Sequence, residues 1–126
     1  MATFTLSPAS AATVMQRWYA AWNAGDLDAV MACYDESIEH SSPFIVRFNG
    51  TADGSLRGKG VVRAYFGRAL TTNPTPAGET RFQPMHLTVG LASVLVIYRR
   101  WTGELAGEVF FLNERGLIVR SVSHYG

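Results

Sequence analysis

The chain has 126 residues, enough for one domain (1–126) and too few for two full cores. Hydrophobic residues make up 48% of it and charged residues 17%, a balance that implies an ordered core and excludes disorder. With 11 basic and 10 acidic residues the net charge is +1, so no electrostatic footprint for nucleic acid is visible.

Three further classes fall away. A single cysteine, Cys33, excludes an internal disulfide and a cysteine-based zinc site, and reads as a buried, inert thiol. The N-terminal MATFTLSPASAAT has no basic segment and no long apolar run, so it is not a signal peptide and the protein is expected in the cytoplasm. The apolar stretches, Val94 to Tyr98 among them, are far too short to span a membrane.

Ser7 is a good N-cap and Pro8 fits a first helical position. Ala11, Val14, Met15, Trp18 and Trp22 then recur at helical spacing until Gly25. Asp26 caps a shorter second helix with Leu27, Val30, Met31 and Tyr34 on one face, closed by Asp35 and Glu36. Ser37 to Ser42 reads as a strand that Pro43 breaks or borders. RFNGTADGSLRGKG, rich in turn formers, is expected to be a hairpin or irregular loop. A third helix starts near Lys59, with Val61, Val62, Tyr65, Phe66, Ala69 and Leu70 as its stripe.

After the loop TTNPTPAGET the period changes to two. Phe82–Val89, Val94–Trp101, Glu104–Leu112 and Leu117–Tyr125 are strand candidates joined by short turns, which predicts an antiparallel meander. Helices first and strands after them give an α+β fold with a sheet of about four to six strands. The wide aromatic stripes are expected to pack on the concave face of that sheet and leave an apolar hole at one end.

Three runs carry a family resemblance: RWYAAWNAGDLDAVMACYDESIEH, then GKGVVRAYF opening the third helix, and EVFFLNERGLIVRSVSHYG at the end. Together they resemble the nuclear transport factor two-like superfamily, which includes SnoaL-like polyketide cyclases and ketosteroid isomerases. The resemblance implies a cone-shaped, curved antiparallel or mixed sheet wrapped around three N-terminal helices, enclosing an apolar pocket. It implies a homodimer through the outer sheet face. It also places His40, after Ile38 and Glu39, where the steroid isomerases carry their carboxylate base. Glu108, five residues before Asn113, stands where they carry a protonated acid. Their oxyanion-binding tyrosine follows an Arg in the first helix. Here Trp18 follows Arg17, and Tyr19 lies about 100° further around the helix.

In chemical terms, Glu108 shares a strand face with Ala106, Phe110 and Leu112, so desolvation should raise its pKa and keep it a neutral acid. The alternative is a salt bridge to Arg99 or Arg120 on a wet face. His40 shares parity with Ile38 and Ser42 and should face the core as a proton shuttle; satisfaction by a backbone carbonyl or by Ser42 is the bland alternative. Glu39 is expected at the surface, His86 half-exposed, and His124 looking outward into a dimer contact. The three histidines show no metal-ligand spacing, and GSLRGKG lacks that of a phosphate loop, so no cofactor or metal is expected.

Trp18, Tyr34, Tyr98, Phe110 and Tyr125 are the candidate walls of the pocket for an apolar small molecule. These residues point to cofactor-free proton transfer on an apolar carbonyl compound, an isomerase, cyclase or dehydratase chemistry. A non-catalytic ligand-binding module and a purely structural dimerisation domain are the alternatives.

Overall fold

Among residues 4–49 and 52–126, which the computed structural model describes, the chain forms ten elements. They run α1 (Pro8–Ala24), α2 (Leu27–Met31), β1 (Tyr34–Ser41), α3 (Pro43–Asn49), β2 (Ser55–Arg57), α4 (Lys59–Thr72), β3 (Phe82–Val89), β4 (Ser93–Arg100), β5 (Leu105–Leu112) and β6 (Ile118–Tyr125). Residues 1–3 of the stretch read for a signal peptide, and residues 50 and 51 of the predicted loop, lie outside the described residues.

Local chemistry sets the helix ends. The Ser7 side chain accepts the Ser10 amide with Pro8 at the first helical position, and Gly25 closes α1 in the left-handed region at φ 66°. Asp26 accepts the Ala29 amide to start α2. Asn23 is used twice: its Oδ1 accepts the Phe82 amide at 2.8 Å and its Nδ2 donates to the Phe82 carbonyl at 3.1 Å, fastening α1 to the start of β3.

The sheet order is β2-β1-β6-β5-β4-β3. β3 to β6 are the expected antiparallel meander, whereas β1 runs parallel to β6 and makes the sheet mixed. The sheet is curved and unclosed, and α1 and α4 pack against β3 and β1 respectively.

Two expectations need correction. Tyr34 belongs to β1, paired with Ile118, and is not part of the second helix. The amphipathic spacing carried it along, but the helix ends in a turn after Met31, where Ile118 donates to the Cys33 carbonyl and begins the β1–β6 ladder. Pro43, read as a strand breaker, also opens a fourth helix, α3. Ser42 accepts the Phe44 amide on its hydroxyl and the Ile45 amide on its carbonyl, so Ser-Pro here is a helix start. The turn-rich stretch after it returns as the short edge strand β2, paired with β1. Gly58, at φ 95°, then turns the chain into α4 while its amide donates to the Ile38 carbonyl.

The aromatic surplus fills the cone. Trp18 stacks on Phe82 with centroids 5.5 Å apart, meets Phe110 edge-on at 5.0 Å, and donates its indole N–H to the Tyr34 hydroxyl at 3.0 Å. None of the described helices is long and apolar enough to cross a membrane.

Candidate functional site

Strand alternation aims a set of side chains at the concave face. Cross-strand registers put His40, Ser121, Phe110 and Val94 in one row of the sheet, and Ser123, Glu108 and Val96 in the next row towards the open end. Tyr125, Ala106 and Tyr98 make a third row. His40 and Glu108 are thus two strands and two residues apart, about 12 Å between backbones on ordinary sheet spacings.

Both groups are buried, with 4% of each exposed. Glu108 Oε1 accepts from the Tyr98 hydroxyl at 3.0 Å and Oε2 from the Ser123 hydroxyl at 2.7 Å. Burial pushes its carboxyl up to about 8, against the smaller downward pull of those two hydroxyls. The salt-bridge alternative is absent: Arg99 donates to the Gly103 carbonyl and Arg120 lies 3.7 Å from Glu39. His40 Nδ1 lies 2.6 Å from Ser121 Oγ, and its ring meets Phe66 edge-on at 5.0 Å. Burial pushes the imidazole down to about 4. Near neutral pH the site therefore holds a neutral histidine and a protonated glutamic acid.

Both open on one cavity of about 840 Å³, in the range of small-molecule sites. Of the expected wall residues, Trp18, Tyr34, Tyr98 and Tyr125 line it. Phe110 does not: it is fully buried against Trp18 and belongs to the core. Trp18 has spent its indole N–H on Tyr34, while the Tyr19 hydroxyl is buried without a partner and held protonated by burial and by the nearby Glu108. His86 and His124 are exposed, Glu39 is paired with Arg57 at 2.9 Å, and the Cys33 thiol is pushed up by burial. Among the described residues, no three His, Cys, Asp or Glu side chains gather as a metal site.

The profile of the SnoaL-like domain matches residues 15–125. The chain belongs to the SnoaL-like family. A SnoaL-like protein of unknown function from Burkholderia thailandensis is 37% identical, with a TM-score of 0.88 over 97% of this chain and 98% of that one. A putative isomerase of the SnoaL-like family from Agrobacterium tumefaciens shares the fold at 18% identity, with a TM-score of 0.71 over 94% and 98% of the two chains. SalBIII, an epoxide hydrolase/cyclase-like enzyme of pyran ring formation in salinomycin, shares it at 21% identity, with a TM-score of 0.70 over 94% and 92%. A comparison with curated protein sequences finds no match. The resemblance read from the three sequence runs is thus borne out at the level of family and fold.

This SnoaL-like cone also carries residues that sequence reasoning missed. Ser121 and Ser123 hold the two titratable groups, and their alternation on β6 was the available signal. Arg47, Arg68, Arg81 and Arg100 all line the cavity, so its walls are aromatic but its mouth is basic. Strand parity correctly separated Arg99 from Arg100, yet nothing local to either marked Arg100 as a pocket residue.

Proposed function

We propose that this SnoaL-like protein binds a small, largely apolar carbonyl compound in the cone and moves a proton on it without a cofactor. One observation carries the reading: a neutral His40 and a protonated Glu108 open on the same aromatic cavity. A weak base beside a carboxylic acid kept neutral is the pairing that enolisation needs.

In this reading His40 takes a proton from the carbon next to the carbonyl. Ser121 holds Nδ1, which leaves Nε2 as the nitrogen for the substrate. The electron pair moves to the carbonyl oxygen, and Glu108 donates a hydrogen bond to the enolate. Tyr98 and Ser123 each donate to a carboxyl oxygen, so the acid proton is free to face the occupant. Return of the proton to another carbon completes an isomerisation; attack of the enolate on a second carbonyl completes a cyclisation. The cavity's size speaks against the purely structural alternative, because a cone filled by its own side chains leaves no such space.

The test is hydrogen–deuterium exchange at the α-carbon of a panel of cyclic ketones in D₂O, followed by NMR. The protein should accelerate exchange of at least one ketone, and His40→Ala and Glu108→Ala should each reduce the acceleration by about 10²-fold or more. Acceleration that survives both changes would remove the two residues from the chemistry. We further assign the convex face of β4 and β5, with Leu95, Leu105 and Phe111 each 38–43% exposed, to the homodimer contact.

A further inference from the structure

Two guanidinium groups at the mouth of the cone, Arg81 and Arg100, have a single carboxylate partner, Glu104, among the described residues. Arg81, immediately before β3, is buried with 4% exposure. Its Nη1 donates to the Asn73 carbonyl at 2.7 Å and to Thr75 Oγ1 at 3.3 Å, while its Nε has no partner. No carboxylate lies within ion-pair distance of it among the described residues; its guanidinium faces Trp101 at 4.6 Å, Phe82 at 5.6 Å and Trp22 at 5.7 Å.

Arg100, at the end of β4, stands over the same Trp101 at 5.1 Å and over Tyr125 at 5.3 Å. Its one ion pair is a long contact of 3.6 Å to Glu104, whose side chain is 56% exposed. The carboxyl deeper in the cavity, Glu108, is neutral and engaged by two hydroxyls. Burying the Arg81 guanidinium without a carboxylate is costly, and the Arg100 cation against the same Trp101 ring repels it. An anion from outside relieves both.

We propose that Arg81 and Arg100 form a subsite for the carboxylate of an organic acid whose apolar body fills the cone. The proposal rests on the reading of the cone as a small-molecule site and names the substrate class. Asn73 and Thr75 occupy Nη1 of Arg81 while its buried Nε has no partner, so the Nε–Nη2 edge, the fork that matches a carboxylate, is the side on which the subsite is built. Arg100 adds a second positive charge beside it. Tyr98 separates this mouth from the Glu108 row: Arg100 and the Glu108 partner Val96 are four residues apart on β4, about 13 Å of strand. The acid group and the reacting carbonyl of the substrate therefore sit at opposite ends of the molecule.

The experiment is a fluorescence titration at pH 7 with 2-naphthoate and with its uncharged methyl ester. The wild-type protein should prefer the acid by about 10–100-fold, the range of a charge-assisted pair. Arg100→Gln should reduce the preference to a few-fold, and Arg81→Gln, where its melting curve shows it folded, should do the same. Arg99→Gln, on the outer face, should leave it intact. Equal binding of acid and ester to the wild type, or a preference that survives Arg100→Gln, overturns the subsite while leaving the cone as a ligand site. So does an equal loss in Arg99→Gln, which reports overall charge. If neither compound binds, the small-molecule reading falls and the subsite with it.

Discussion

His40 and Glu108 stand on either side of β6, and each is hydrogen-bonded to a serine of that strand, His40 to Ser121 at 2.6 Å and Glu108 to Ser123 at 2.7 Å. One strand thus positions both titratable side chains. Their opposite pKa shifts have one cause, since burial disfavours the charged form of each and leaves both neutral.

The pH dependence of the reaction follows. His40 is competent only when unprotonated and Glu108 only when protonated, so kcat/KM should be bell-shaped, falling below about 4 and above about 8. Glu108→Ala should cost about 10²–10³-fold, the scale of a lost oxyanion donor. Glu108→Gln keeps a neutral donor, so it should lose less rate and should lose the alkaline limb. A pH–rate series on the two variants checks both points.

Stability should carry the same signature. The folded Glu108 pKa of about 8 is above its ordinary 4.5, so the folded state holds the extra proton and its contribution is lost as pH rises between those values. His40 works in the opposite sense, with its contribution lost as pH falls from 6.5 towards about 4. From about pH 6.5 to 8 only Glu108 changes, and the wild type should lose roughly 2 kcal/mol at about 1.4 kcal/mol per pH unit. Urea melts of Glu108→Gln should show no such slope.

The Asn23 clamp gives a prediction away from the site. Asn23→Ala removes both bonds to the Phe82 backbone and should cost about 1–3 kcal/mol, while Asn23→Asp keeps an acceptor for the Phe82 amide and should cost less. Thermal denaturation of the two variants orders them.

The convex face makes a prediction about assembly. Phe111→Glu places a charge in the apolar patch with Leu95 and Leu105, and should convert a dimer to a monomer with the cavity intact. Sedimentation of wild type and variant reads it directly. A wild-type monomer contradicts the assignment.

Much of this was legible in the sequence, and the exceptions have physical reasons. Alternation put Glu108 on the buried face with Phe110 because β5 has no irregularity until Phe111. The same rule does not carry through β3, where the register shifts between Pro84 and His86, so the faces of its residues cannot be read by counting. Tyr34 fits both a helical stripe and the strand that follows, and only pairing with Ile118 decides it. Ser42-Pro43 reads as a break because a proline ends a strand, but a proline equally suits the first position of a helix, as it does in α3. The arginine mouth is not legible in the sequence because Arg47 on α3 lies far along the chain from Arg81 and Arg100, which β3–β4 pairing brings side by side. A residue's contact with a cavity is a property of the closed cone.

The central claim is that the cone keeps a carboxylic acid protonated beside a neutral imidazole, and NMR titration of the Glu108 carboxyl carbon together with the His40 ring tests it most directly. The account predicts midpoints near 8 for Glu108 and near 4 for His40. A Glu108 midpoint near the ordinary 4.5 would contradict it, because an ionised Glu108 at neutral pH has no proton to offer an enolate.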